Sequence, residues 1–259
     1  MACCLSEERI QGAFSNEKAI KIGTGTTTKK VTSSVYVYVC ETADGKLEVQ
    51  TVNDNDVPSG PVSVITRDEL LAEYLPEPEY YHKTLYPKLV ELNKQLASGE
   101  RHLKLNQPYT AELNFQNALK LDEQNIRANF GIGMVYLQRG EKDKADLVLR
   151  RLVGLEAAFE ARHKHLFNEF GIQLRKAGMY SQALEYYARA LDFAKDDEHL
   201  HFNIARAHLE NNNADDARKF LHKALALNPG FGEAREWLAL MDKPGVIIKG
   251  MVQAAPVPA

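Results

Sequence analysis

Cysteine is scarce in this 259-residue chain, and long apolar runs are missing. The three cysteines, Cys3, Cys4 and Cys40, are odd in number and lack the paired spacing of a metal site. Because Cys3 and Cys4 are adjacent, they are poor disulfide candidates, which favours a reducing compartment. No apolar stretch approaches the roughly 20 residues of a membrane-spanning helix, and the first twelve residues lack the apolar core of a secretory signal. These absences predict a cytoplasmic protein without a membrane span.

Basic residues are not in excess, because 32 Lys and Arg face 35 Asp and Glu for a net charge of −3. That balance predicts no nucleic-acid partner. Gly23-Thr24-Gly25-Thr26 is a weak match to a phosphate loop, since it lacks a Gly-Lys-Ser/Thr ending and a preceding apolar strand. Spacing assembles no Ser/His/Asp or Cys/His arrangement. We therefore expect no catalytic residues, no enzyme activity and no cofactor.

Two ladders of small residues run through the second half of the chain with one irregular period. Both have separations of 34, 38 and 34, and their members are Ala111, Ala145, Ala183 and Ala217, and Gly99, Gly133, Gly171 and Ala205. Small residues are needed where helix axes approach closely, and large ones fill the gaps between them. A shared period of this length predicts stacked helix pairs that bury their apolar faces only against neighbours.

Helix ends can be read in the same region. Gly140 and Gly178 are predicted to end the first helices of the second and third units, and Asn211-Asn212-Asn213 forms the equivalent turn in the fourth. A capping helix over Gly232 to Asp242 presents Trp237 on its apolar face. The longer spacing of 38 places four extra residues in the stretch 154–161. A longer helix or loop without a role is favoured there over a ridge that alters the curvature.

The pattern resembles the tetratricopeptide repeat family from roughly Leu92 to Phe231. The matching residues are Gly171, Tyr180, Ala183, Tyr187, Ala190, Leu191, Ala217, Ala224, Leu225 and Pro229. Leu152 departs from the family pattern, because a small Ala is usual at its position. The resemblance implies a mostly α fold, an α-solenoid of about four helix pairs with a C-terminal capping helix.

The first third of the chain lacks the repeat. Alternating Val and Tyr predict a β-hairpin over about 32–52 that turns at Asp44-Gly45, and a third strand is suggested at 62–65. Thr66 and Glu69 form a capping box that opens a short helix over about 67–75. We predict an N-terminal module at 1–86 with a flexible start, the array with its capping helix at 87–243 and a flexible tail at 244–259. An isolated hairpin is marginal in water, so packing on the first repeats and dimerisation by strand addition both stay open.

In the resembling family the first helices of the units line a concave groove. Transferring the inward-facing positions predicts a peptide-binding groove formed by Arg127, Phe130, Met134, His165, Asn168, Ile172, Arg175, Lys176, His199, Phe202 and Arg206. Basic groups around apolar and aromatic residues suit a peptide with apolar anchors and carboxylates. The opposite interpretation, in which these charges are solvated and the two phenylalanines pack between helices, stays open. The Lys and Asn pattern by which some family members grip the acidic C-termini of chaperones is not met in either possible frame.

Two histidine pairs, His163/His165 and His199/His201, lie at the starts of first helices in adjacent units. Histidine is a common metal ligand, but residues two apart on a helix do not share a face. We therefore predict no metal site and leave metal binding by these pairs as the alternative.

These observations predict a non-catalytic adaptor that binds a peptide or helix of a protein partner in the concave groove. The alternative is a structural or assembly subunit that forms homo-oligomers through the N-terminal β module and the convex surface.

Overall fold

The computed structural model describes residues 9–22, 29–155, 158 and 160–243, without the side chains of 17–22, 29–33 and 161. The segment Gly23 to Thr26 and the predicted flexible tail lie outside these residues. Contacts divide the chain into two compact units, Met1–Gly131 and Ile132–Ala259. No helix in the described ranges is long and apolar enough to span a membrane. The predicted domain bounds of 1–86, 87–243 and 244–259 stay predictions.

The first unit begins with a five-stranded antiparallel sheet in the order β4-β3-β2-β1-β5. The predicted hairpin corresponds to β2 and β3, with Val39 opposite Val49, and Gly45 in its turn has φ +78°. The sheet is larger than predicted, because the strand β1 also forms where the sequence predicts a flexible start. The apolar residues of this strand do not alternate with polar ones, so the sequence pattern does not reveal it. The bounds are β1 Gln11–Ile22, β2 Lys29–Glu41, β3 Leu47–Val52, β4 Pro58–Ile65 and β5 Leu75–Pro76.

Both faces of the sheet are covered within the first unit. On one face Val37, Val39, Leu47 and Val49 pack with Leu70 of helix α1 (Arg67–Glu73). The N terminus of α1 has the predicted capping box, in which Thr66 Oγ1 accepts from the Glu69 backbone and Glu69 accepts from the Thr66 backbone N–H.

The second face is covered by the chain that leads into the helices. Ala13 and Tyr38 pack with Leu85, which ends a π-helical turn, Tyr81–Leu85, between the one-turn helix α2 (Pro78–Tyr80) and α3 (Tyr86–Lys104). Tyr80 stacks on Tyr36 with ring centroids 4.3 Å apart. Burial raises the pKa of Tyr38 to about 12, as expected for a phenol inside a core.

Cys40 lies on β2 and is disulfide-bonded, with its partner outside the described residues. This differs from the expectation of unpaired cysteines, which rested on the adjacency of Cys3 and Cys4.

The β3–β4 loop joins the sheet to the first helix pair, α3 and α4 (Pro108–Leu121). Asn53 Nδ2 donates to the Leu121 carbonyl at 2.8 Å, and Asn55 Nδ2 donates to the Lys120 carbonyl at 3.1 Å. These amides satisfy carbonyls at a helix C terminus, which have no partner inside the helix. Ser59 Oγ adds a hydrogen bond of 2.6 Å to Asp122. Packing on the first repeat, one of the two roles left open for the hairpin module, is therefore observed, and dimerisation by strand addition stays a prediction.

The remaining helices continue the helix pairs and confirm the mostly α fold behind a β-containing module. They are α5 Ile126–Gln138, α6 Lys142–Val153, α7 Lys164–Lys176, α8 Tyr180–Phe193, α9 Glu198–Glu210, α10 Ala214–Leu227 and α11 Gly232–Met241. The helix α6 ends at Val153 and a 3-10 turn, Ala161–His163, precedes α7. The extra residues thus lie in a connection rather than in a longer helix, although 156, 157 and 159 are outside the described residues. The helix α11 packs Ala234 and Trp237 on α9 and α10, as predicted for a capping helix.

The two ladders lie at the tightest places of this packing. All four alanines of the first ladder are 0% exposed. A Cβ atom at Gly99 would lie 2.7 Å from the ring of Phe115, and one at Gly133 would lie 2.5 Å from Phe170. At Gly171 the ring of Tyr187 approaches more closely than any Cβ atom allows. The glycines are therefore required because aromatic rings rest on the helix backbone.

A third ladder appears in the turns between the paired helices. Asn106, Gly140, Gly178 and Asn212 have φ values of 57°, 72°, 74° and 60°, with the same 34, 38 and 34 separations. In each turn the following residue donates its N–H to a carbonyl five residues earlier, for example Glu141 to Tyr136 and Asn213 to His208. This hydrogen bond is the signature of a Schellman cap. The predicted glycine stops are confirmed, and asparagine replaces glycine in the outer units because it tolerates the left-handed conformation.

Candidate functional site

Two of the predicted groove residues lie in the first unit and are engaged by its fold. Arg127 donates from Nε and Nη2 to Glu100 Oε1 at 3.0 and 2.8 Å, which links α5 to α3. Phe130 is 1% exposed and offers no side-chain surface to a ligand. Neither residue is an open contact point in this structure.

Helix α7 of the second unit places its predicted residues at spacings of three and four, so that one face carries most of them. Asn168 and Ile172 on this face are half-buried, and Arg175 is 4% exposed. His165 and Lys176 are exposed at the two ends of the helix. The structure thus brings an amide, an aliphatic group and a guanidinium onto the same face. Met134, on α5, is half-buried as well.

Helix α9 contributes an aromatic patch with a cation above it. Phe202 packs against Phe231 and Trp237 with ring centroids 5.1 and 5.8 Å apart. The guanidinium carbon of Arg206 lies 5.4 Å from the ring centroid of Trp237 and 5.9 Å from that of Phe202. His199 is exposed and lies edge-on to Phe231. Stacking therefore holds the Arg206 guanidinium in place.

The polar groups of α7, α8 and α9 meet at Tyr187. Arg175 forms an ion pair with Glu210, and only 5% of the Arg175 side chain is exposed. Burial raises the pKa of Tyr187, while the charges of Arg175 and Arg206 act to lower it. Burial also lowers the pKa of Arg206, and the neighbouring charge of Arg175 lowers it further. We call these four residues, Arg175, Tyr187, Arg206 and Glu210, the arginine cluster; it can bind an anion through N–H and O–H donors.

Three residues of this region were not predicted as site residues. The repeat pattern identifies Tyr187 as a packing residue, and hydrophobic periodicity gives no information about its hydroxyl group. The sequence assigns Trp237 only to the capping helix. Glu210 follows Arg175 by 35 residues, close to one repeat length. Opposite charges one repeat apart are the signal in the sequence that identifies this ion pair.

One member of the two histidine pairs, His201, is engaged in the core of the second unit. His201 is 7% exposed, with Nε2 at 2.9 Å from the Lys195 carbonyl and its ring stacked on Phe220. Among the described residues no group of three or more His, Cys, Asp or Glu side chains is placed to hold a metal ion. His201 acts as a packed, hydrogen-bonded core side chain.

Two family models described as tetratricopeptide repeat match this chain, at residues 96–159 and 174–243. Among curated proteins, it is 26% identical over 168 residues to the TPR repeat-containing protein YpiA of Bacillus subtilis, covering 60% of this chain and 39% of that protein. Anaphase-promoting complex subunit 3 of Schizosaccharomyces pombe is 24% identical, covering 51% of this chain and 19% of that protein. Protein O-mannosyl-transferase TMTC3 of Homo sapiens is 24% identical, covering 56% of this chain and 16% of that protein. The chain thus spans about two fifths or less of the length of these relatives.

Solved structures with similar folds include YrrB, described as a TPR protein with an unusual peptide-binding site. It has a TM-score of 0.44 and 20% identity, over 57% of this chain and 74% of that chain. The pilF protein of Pseudomonas aeruginosa has a TM-score of 0.46 and 16% identity, over 60% of this chain and 72% of that chain.

Proposed function

Because this chain belongs to the tetratricopeptide repeat family, we propose that it is a non-catalytic adaptor that binds a peptide or helix of a protein partner. The site proposed is the surface formed by the predicted groove residues of α7 and α9. No cofactor and no nucleic acid takes part in this function. One relative is named a transferase, but this chain covers only 16% of it, so that name carries no activity over.

One observation supports the site more than any other: polar atoms at this surface are buried without hydrogen-bond partners. Within the described residues, Asn168 Oδ1, Arg175 Nε, Tyr187 Oη and Arg206 Nε are all in this condition. A buried polar group without a partner costs about 1–3 kcal/mol, so a ligand that supplied a hydrogen bond to any of these four atoms would gain binding free energy. Half-buried Ile172 and Phe202 beside them supply the apolar contact that a peptide anchor needs.

The test compares two apolar residues of the second unit that change to the same acid. Ile172 lies on the proposed surface, while Leu147 is 68% exposed on α6, a second helix. Peptides would be selected on the full chain from a random dodecamer display library, and their affinity measured by calorimetry. We expect Ile172→Glu to weaken binding at least about tenfold and Leu147→Glu to leave it unchanged. Peptides that bind the Ile172→Glu variant as tightly as the wild type would refute the site.

The alternative function, an assembly subunit that oligomerises through the β module, retains one supporting observation. Leu71 and Leu75, on α1 and β5, are 82% and 61% exposed although they are large and apolar. Light scattering on the full chain and on a Leu71→Glu, Leu75→Glu variant would test this role. Oligomers of the wild type that dissociate in the variant favour assembly, and a monomeric wild type counts against it. Removing the module is not a clean test, because the module caps α4.

A cytoplasmic location stays a prediction from the sequence. The disulfide at Cys40 argues the other way, because such bonds persist in oxidising compartments. Alkylation of protein isolated without reductant, followed by intact-mass measurement, would count the free thiols. One free thiol of three supports an oxidising compartment, and three free thiols support the cytoplasm.

A further inference from the structure

The arginine cluster has unpartnered donors rather than unpartnered acceptors. Tyr187 is fully buried and Arg175 is 4% exposed. In the described part of the chain, Arg175 Nε, Arg206 Nε and Tyr187 Oη have no hydrogen-bond partner. Guanidinium Nε–H is only a donor, and the tyrosine hydroxyl donates through its O–H. A group that satisfies all three must therefore be an acceptor with several lone pairs, which describes a carboxylate.

The charges in the cluster favour an anion. Two carboxylates act on Tyr187 beside the two guanidinium groups: Glu210, which pairs with Arg175, and Glu169, which is exposed and accepts a hydrogen bond of 2.6 Å from Gln173. Both carboxylates therefore already have a partner. Arg206 rests on Trp237 and Phe202 and has no ion-pair partner among the described residues. Its charge is the one in the cluster that is left for an anion.

The surroundings distinguish between two sources of carboxylate. Arg175 is 4% exposed, so a bulky group cannot contact it. Ile172 and Phe202 are half-buried and can contact methylene groups. A glutamate side chain has both the reach and the methylenes, whereas a C-terminal carboxylate would bring the peptide backbone close to Tyr187.

We propose that the arginine cluster binds one glutamate side chain of the partner peptide, with Arg206 as its main contact and Tyr187 as a further donor. This inference rests on the proposed function, because it names the anchor of the same surface. It predicts that every tightly bound peptide carries an acidic residue that is coupled energetically to Arg206.

The experiment is a double-mutant cycle on the peptides selected as above, synthesised with amidated C termini. Each acidic residue in turn is replaced by its amide, and affinities are measured for the wild type and for Arg206→Met, which keeps the length of the side chain. One replacement should weaken binding to the wild type about tenfold or more and have little effect on Arg206→Met. Arg218→Met is the control, since Arg218 pairs with Asp242 outside the cluster, and it should behave as the wild type.

Trp237 supplies a second measurement because it is the only tryptophan in the chain. Its ring lies beneath the Arg206 guanidinium, so binding of the acidic peptide should change its fluorescence, and binding of the amide peptide should change it less. Circular dichroism of Arg206→Met checks that the variant is folded.

The outcomes separate this inference from the proposed function. Peptides that bind, depend on Ile172 and show no acidic residue coupled to Arg206 would overturn the glutamate anchor alone. A free C terminus coupled to Arg206, in place of an acidic side chain, overturns it as well. Peptide affinity that is unchanged in Ile172→Glu would refute the proposed surface, and the glutamate anchor with it.

Discussion

Two interhelical ion pairs between arginine and glutamate in the described part of the chain differ in their surroundings. In the first unit, Arg127 and Glu100 join α3 and α5 with side chains 30% and 39% exposed. In the second unit, Arg175 and Glu210 join α7 and α9 with side chains 5% and 23% exposed. The first pair is largely complete in itself, because two donors of Arg127 engage one carboxylate oxygen. The second lies beside another arginine and retains an unpartnered donor.

From this difference we infer that a repeat array can use the same type of ion pair either for stability alone or next to a proposed binding surface. A solvated ion pair contributes little to stability and little to recognition. A buried pair costs free energy to desolvate, and breaking it leaves an uncompensated charge. Any guanidinium N–H that the pair does not use still needs an acceptor. Four experiments below would sharpen or break this comparison.

The largest effect is expected from removing the two glutamates separately. Glu210→Gln leaves the buried Arg175 charge uncompensated, and we expect it to lower the free energy of unfolding by about 3 kcal/mol. Glu100→Gln, in the exposed pair, should cost at most about 1 kcal/mol. Urea denaturation followed by circular dichroism measures both. Equal losses in the two variants would show that burial does not distinguish the pairs.

A smaller effect is expected at the ladder glycines, which behave alike in the two units. Gly99→Ala and Gly171→Ala each force a methyl group into an aromatic ring, and we expect each to cost about 1–3 kcal/mol. Gly232→Ala is the control, because no atom lies within 4 Å of the position of its Cβ. Its effect on the urea midpoint should be neutral or stabilising. A loss at Gly232 equal to that at Gly171 would contradict the steric explanation.

The hydrogen bonds that attach the β module to α4 should contribute to the thermal stability of the first unit. Asn53→Ala removes the donor to the Leu121 carbonyl, and we expect a loss of about 1–2 kcal/mol. Asn114→Ala is the matched control, since its amide donates to Thr110 within one helix. Thermal unfolding of both variants tests the difference. An unaltered midpoint for Asn53→Ala would mean that the loop contacts contribute nothing to stability.

The smallest effect concerns pH and is confined to the second unit. Burial lowers the pKa of His208, with Lys219 acting in the same direction and Asp216 opposing it. The folded state then binds fewer protons than the unfolded state, so this contribution is complete above about pH 6.5 and decreases as the pH falls below it. Between pH 8 and pH 5 the free energy of unfolding, measured by urea denaturation, should decrease less for His208→Gln than for the wild type. The difference should be under about 1 kcal/mol. Identical profiles would exclude His208 as a source of the slope.

The sequence predicts the repeat because its signal is both local and periodic. The regular spacing of small residues such as Ala111, Ala145 and Gly171 predicts the repeat, and each of them lies where the packing requires a small residue. The strand β1 could not be predicted in this way, since its polar residues become a strand only by pairing with β2. The left-handed asparagines, Asn106 and Asn212, are likewise revealed only by comparison with the glycines of the inner units.

The candidate site is predicted less completely than the fold. Arg175, Ile172 and Arg206 follow from family positions, and the structure places them in one region. The burial of Phe130 and the engagement of Arg127 by Glu100 depend on neighbours from distant parts of the sequence. The unpartnered hydroxyl of Tyr187 is a property of the folded interior, so no pattern of residue types reveals it.

The coverings at both ends of the helix series restrict how such a protein can lengthen during evolution. The sheet packs Ala13 and Tyr38 on Leu85 and Leu89 at the start of α3, and α11 closes the surface of α9 and α10. A duplicated repeat added outside either covering would meet a surface that is not a repeat. We therefore expect a longer descendant to gain its units internally, by duplicating a whole period between two of the turns at Asn106, Gly140, Gly178 and Asn212.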